Sequence, residues 1–250
     1  MTNANATAPI CAHRRRSPDA VACDRCVLNH ICEPLESSAD EVPLRGPAGG
    51  RQITLKRGDA LFHKGDPFHT VYALSRGSVK LVLPRPADEQ QVMGFRVAGE
   101  LVGLNGIAND RYLSDVYALE DTEVCALGLD YLEGKRGEIS DMDRRLLKVM
   151  GEDLVCDQYE AVLLGKKSAV ERLAAFILGL AERYERHGCS GSEFSFAMTR
   201  VDLADYLGLA KETVSRLFIR FRDQHLIANR KRRIQLLDLP ALRTLAGPTG

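Results

Sequence analysis

Residues 198–227, MTRVDLADYLGLAKETVSRLFIRFRDQHLI, limit the fold more than any other stretch of this chain. Apolar positions recur at helical spacing on either side of Gly208-Leu209-Ala210. That pattern predicts two short amphipathic helices, Arg200–Leu207 and Lys211–His225, joined by a tight turn: a helix-turn-helix. Thr199, with Asp202 three residues later, makes an N-cap backed by a first-turn acid. Ile227, a turn at Asn229–Arg232 and the run Ile234–Leu237 then read as a β-hairpin wing. Upstream, Ala169 to Arg186 is a longer helical run stopped at His187-Gly188, and a short strand is expected near Glu193–Ala197. Residues 168–250 together make a winged helix-turn-helix.

Charge sharpens that reading. The whole chain is neutral, with 34 basic and 34 acidic residues. Between Lys211 and Arg233, however, eight basic residues face Glu212 and Asp223 alone, a local excess of six positive charges. A basic face concentrated on a neutral protein is the electrostatic footprint of phosphate binding, and double-stranded DNA is the partner it fits. On the second helix, Val214 and Leu217 should face the core, leaving Lys211, Glu212, Ser215 and Arg216 outward. Its N-terminal residues should enter the major groove. There Arg216 can grip guanine O6 and N7, Glu212 can accept from cytosine N4, and Lys211 can read a base or hold a phosphate.

The rest of the chain divides by pattern. Residues 1–20 are polar and small, without hydrophobic period, and read as a disordered tail. Residues 21–50 carry a cysteine cluster and end in Pro43, Pro47, Gly49 and Gly50. Across 51–135, short alternating runs are cut every 8–12 residues by Gly-containing turns such as Arg57-Gly58-Asp59 and Lys64-Gly65-Asp66. These describe an antiparallel β barrel or sandwich. Residues 138–167 lack proline and can form a helix of about 40 Å. Within it Leu147, Met150, Leu154, Asp157, Ala161 and Leu164 alternate spacings of three and four, the seam of a coiled coil. An ionised Asp157 facing its symmetry mate would repel it, so such a dimer would be weak. The expected fold class is therefore α+β. No apolar run approaches the ~18–20 residues of a membrane span. Met1–Ala12 has no signal core and is followed by three arginines, so a cytoplasmic protein is expected. The six histidines are scattered, and no acid/base constellation points to an enzyme.

Cys23, Cys26 and Cys32 crowd into ten residues. Three soft thiolates on one loop hold zinc or an iron–sulfur cluster rather than disulfides in a reducing compartment. His30 or Cys11 could complete a zinc tetrahedron. A four-thiolate cubane instead needs a distant cysteine, and Cys125, on the expected strand Thr122–Leu127, offers a rigid tether.

The order of cysteine loop, β barrel, seam helix and winged helix-turn-helix resembles the CRP/FNR superfamily of bacterial transcription regulators. Within it, the likeness is to the oxygen-sensing fumarate and nitrate reduction branch. It runs from about Ala22 to Gly247 and is most specific in Cys23-x2-Cys26-x5-Cys32, GFRVAGELVG (94–103), KKSAVERLAAFI (166–177) and residues 198–217. The resemblance implies a sensor domain of the cyclic-nucleotide-binding, jelly-roll type and an oxygen-labile [4Fe-4S] cluster on Cys23, Cys26, Cys32 and Cys125. It implies a homodimer when the cluster is bound, with Asp157 as the opposing seam acid. It implies recognition of a TTGAT-N4-ATCAA palindrome through Glu212, Ser215 and Arg216, with RNA polymerase as a further partner of an activator. The rival readings are a zinc-stapled or a cyclic-nucleotide-responsive regulator of the same superfamily. Nucleotide receptors pair Gly-Glu-Leu with a later Arg-Ser or Arg-Thr. Here Gly99-Glu100-Leu101 is present but Asn109–Ser114 lacks the pair, so no cyclic nucleotide is expected.

Overall fold

The computed structural model describes Val21, residues 51–86, 89–128, 147–152, 154–155 and 167–247. The expected tail, Cys23, Cys26 and Cys32, and the seam residues Asp157, Ala161 and Leu164 lie outside the described residues.

The first lobe contains eight strands: β1 (Arg51–Leu55), β2 (Ala60–Phe62), β3 (Thr70–Arg76), β4 (Ser78–Pro84), β5 (Gln90–Val97), β6 (Leu101–Val102), β7 (Asp115–Ala118) and β8 (Thr122–Gly128). They form two antiparallel four-stranded sheets, ordered β1-β8-β3-β6 and β2-β7-β4-β5. Between the sheets, Phe62, Val71, Leu74, Val79, Val116, Val124 and Leu127 make an apolar core. Tyr112 stacks on Phe62 with ring centroids 3.7 Å apart and donates its hydroxyl to Thr70 O. Strands β6 and β7 are additions to the sequence reading. Two residues carry no period for β6, and β7 contains Asp115, buried because it accepts from Lys64 N–H at 2.7 Å and from the Tyr117 hydroxyl.

The second lobe follows the expected order, with one helix at its end that the sequence reading did not contain. α1 spans Ala169–Arg186, and Ser168 caps it in a reciprocal box with Glu171. β9 (Glu193–Ser195) leads to α2 (Arg200–Leu207) and α3 (Lys211–Asp223), then β10 (Ile227–Arg230), β11 (Arg233–Leu236) and α4 (Leu239–Ala246). The three strands form a sheet ordered β10-β11-β9. Strand pairing continues to Arg230↔Arg233, so the hairpin turn is Lys231-Arg232, tighter than the four-residue turn expected.

The two lobes share one core. Val92, Phe95 and Val97 of β5, with Leu119, pack with Phe176, Leu180, Phe194 and Tyr206 of the second lobe rather than with the β lobe's own interior. The apolar β5 side chains that leave the inter-sheet space are covered by α1 and α2, and Gln91 beside them donates to Asp205 of α2. Residues 147–152 and 154–155 are helical and expose apolar side chains: Leu147 is 61% and Leu154 59% accessible. Both belong to the expected seam.

Candidate nucleic-acid interface

Local chemistry fixes the two helices of the interface. Thr199 Oγ1 accepts from Asp202 N–H at 3.0 Å, and an Asp202 oxygen accepts in return from Thr199 N–H at 3.2 Å. Lys80, from β4, adds an ion pair to Asp202 at 2.6 Å. Burial pushes the Asp202 carboxyl up, but Lys80 and Thr199 outweigh it and hold the group below its usual value. α2 stops at Gly208, whose φ of 62° is left-handed and favours glycine. Ala210 supplies no capping side chain to α3, leaving its first amides to water or a phosphate.

Val214 and Leu217 are buried, as expected, and this turns the opposite face of α3 outward. Lys211, Glu212 and Arg216 are exposed, and Ser215 is half-buried. The arrangement lets an arginine and a glutamate one turn apart meet base edges, with donors and acceptors the major groove can read. Sequence reasoning missed Arg200, whose guanidinium lies 3.3 Å from the Phe218 ring centroid and pins the start of α2 to α3. Burial lowers its pKa to about 10, so it stays charged at neutral pH.

The basic face is smaller by one charge than composition indicates, because the count from Lys211 to Arg233 leaves out Glu193. Arg222 pairs with Asp223 at 3.3 Å and Arg233 with Glu193 at 3.0 Å. Arg220, Arg230, Lys231 and Arg232 remain exposed, the last three at the hairpin tip. Base-reading candidates on α3 are thus accompanied by cations along its length and on the wing. Arg216→Ala should cost about 5- to 150-fold in preference for the operator over random duplex while leaving salt-sensitive random binding nearly intact. Uniform weakening on all sequences, measured by competition binding, would make Arg216 a phosphate contact.

Among the described residues no group of three or more histidine, cysteine or acidic side chains gathers to hold a metal ion. Cys125, the described member of the expected ligand set, sits on β8 between Gln52 of β1 and Ala73 of β3. It is buried, 8% accessible. Val21 is likewise buried, and its N–H donates to Ser75 O at 2.9 Å, two residues along β3 from the Cys125 partner.

Two family models match this arrangement: a cyclic nucleotide-binding domain over residues 52–135 and a Crp-like helix-turn-helix domain over 171–245. The transcriptional regulatory protein btr of Bordetella pertussis is 36% identical over 92% of this chain and 96% of its own length. The transcriptional activator anr of Pseudomonas aeruginosa is 36% identical over 90% and 92%. The fumarate and nitrate reduction regulatory protein of Salmonella typhimurium is 34% identical over 92% of both chains. The chain belongs to the CRP/FNR family of transcription regulators. Its fold agrees with FixK2 from Bradyrhizobium japonicum at a TM-score of 0.71, with 25% identity over 80% of this chain and 99% of that one. A CRP-family regulator from Thermus thermophilus shares the fold at 0.62. As a CRP/FNR regulator the chain binds DNA through its helix-turn-helix and is a regulator rather than an enzyme. Proteins of this family dimerise. No helix among the described residues is long and apolar enough to cross a membrane.

Proposed function

We propose that this CRP/FNR regulator is an oxygen-responsive activator whose [4Fe-4S] cluster is held by Cys23, Cys26, Cys32 and Cys125. The observation that carries this reading is the buried Cys125 on a central strand, with Val21 tied to the neighbouring strand. Two residues of chain, at most about 7 Å, separate Val21 from Cys23. A thiolate fixed by strand pairing on both sides is a donor suited to a soft-metal cluster. Within this reading 21–50 is the cluster-binding segment, 51–135 the sensor domain, 138–167 the dimerisation helix and 168–250 the DNA-binding domain.

When bound, the cluster would cross-link the cysteine segment to β8 through iron–thiolate bonds that reaction with oxygen breaks. The chain's own residues supply the rest. Leu147, Met150 and Leu154 offer apolar surface to a second copy, and Asp157 opposes it by like-charge repulsion, keeping the dimer responsive to a change of a few kcal/mol. A homodimer places two α3 helices about 34 Å apart, one DNA turn, and so reads a palindrome of the TTGAT-N4-ATCAA type through Lys211, Glu212, Ser215 and Arg216. RNA polymerase is the further partner of such an activator. The kinship with transcriptional activator anr and the fumarate and nitrate reduction regulator supports the reading. A cyclic nucleotide is disfavoured as signal because Glu100 of Gly99-Glu100-Leu101 is engaged by Arg183 and by Val97 N–H.

Protein purified without oxygen should contain about four iron and four sulfide per chain and lose its visible absorption in air. One zinc with no sulfide would replace this reading by the zinc-stapled regulator.

A further inference from the structure

The join between the lobes holds a charge pair that neither base reading nor a cysteine-bound cofactor uses. Arg183, near the C-terminus of α1, donates from Nε to Glu100 Oε1 and from Nη2 to Glu100 Oε2, both at 2.6 Å. Nη2 also donates to Phe95 O at 2.6 Å. The side chains are 17% and 14% accessible. Glu100 Oε2 accepts in addition from Val97 N–H at 2.9 Å. Burial alone would raise the Glu100 carboxyl, but Arg183, Arg96 and the Val97 amide bring it down to about 2. The pair is therefore ionised throughout the physiological range. Beside it, Gly99 has a φ of +99°, and a Cβ there would lie 2.3 Å from the His187 ring. The turn 97–100 is shaped to receive the end of α1.

A forked guanidinium on a carboxylate fixes distance and direction together. Its lever arm is long. The chain enters α1 through Ser168, in extended conformation, and Arg183 lies 15 residues further, about 22 Å along the helix. A shift of 1 Å at that end tilts the lobe by only about 3° at this rise per residue. Contacts of α2 hold the opposite side: Asp205 accepts from Val92 N–H and from Gln91 Nε2. The second lobe is thereby held at separated points on β5 and its following turn, alongside the Lys80–Asp202 pair on β4 and the shared apolar core.

We propose that Arg183 and Glu100 are positioning residues for DNA binding: their buried ion pair fixes the angle of the winged helix-turn-helix on the β domain, and so the direction of the recognition helix. A palindrome requires two such helices at a set separation, and a few degrees of play in each protomer spreads that separation over several ångströms. The pair thus selects half-site spacing without touching DNA. This inference uses the family's DNA binding and is independent of any cluster.

The test uses the full chain in its DNA-binding form and the palindrome it selects from random duplexes, compared with the same site carrying one inserted base pair at its centre. Arg183→Met and Glu100→Gln should each narrow the discrimination between the two spacings by about tenfold or more, with random-duplex binding unchanged. Each single variant also strands a buried charged or polar partner and should melt lower. The double variant removes both charges and should recover much of the melting temperature, because a buried pair is replaceable by neutral groups. It should not recover the spacing discrimination. Arg183→Lys, which keeps the charge but not the fork, should fall between wild type and Arg183→Met. Discrimination that stays at the wild-type level in the single variants, or that returns with melting temperature in the double variant, overturns the proposal.

Discussion

Cys125→Ser should leave a folded chain that carries almost no iron or sulfide and no longer prefers its operator without oxygen. The strand environment argues for selectivity of the damage. Cys125 pairs through its backbone with Gln52 and Ala73, and these ladders do not depend on the side chain. Serine is nearly the size of cysteine, so the exchange opens little void at this buried position. A hard alcohol, however, does not replace a soft thiolate as an iron ligand. Metal analysis, circular dichroism and operator titration under nitrogen check the three parts. A serine variant with full iron and sulfide would exclude Cys125 as a ligand and leave the fourth position to another donor.

Phe95→Ala should be among the most damaging single substitutions for stability, about 3–5 kcal/mol. Phe95 is 2% accessible and belongs to the joint core, not to the β lobe's interior. Its ring meets Phe176 at 5.7 Å and Tyr206 at 5.2 Å, both edge to face, and those two meet each other at 5.5 Å. Removing the ring opens a void where three elements converge, and loses two aromatic pairs worth about 0.5–1.5 kcal/mol each. Because the void lies at the junction, the melting curve should also broaden or split as the lobes lose their coupling. In a chain of this size the midpoint should fall by about 10 °C. Calorimetry checks both features, and a loss under about 1 kcal/mol would mean that the junction is not packed in solution as described.

The two predictions probe regions of different legibility. The helices and wing of the DNA-binding lobe were readable because their signals are local. Ala169–Arg186 has its helical period, Thr199 and Asp202 lie in one capping box, and Gly208 is the residue that tolerates a left-handed stop. The inward and outward faces of α3 followed from the same spacing, since burying Val214 and Leu217 leaves Lys211, Glu212 and Arg216 facing solvent. Strands β6 and β7 escaped because one is too short to show a period and the other carries a buried Asp115. Counting charges overstated the basic face by one, because Arg233 lies against Glu193, which is 40 residues away in sequence.

What the sequence determined by itself was the set of pieces: a β domain of Gly-punctuated strands and a winged helix-turn-helix whose second helix turns Lys211, Glu212 and Arg216 outward. Tertiary structure alone decided how the pieces meet. Arg183 and Glu100 are 83 residues apart, and Asp205 lies 113 residues from Val92. Nothing in either local segment shows that its charge will be buried against the other. Helical period, capping and turn chemistry act over three or four residues and are written in the chain. The angle between two lobes depends on which side chains fill the same volume, and that exists only once the chain has folded.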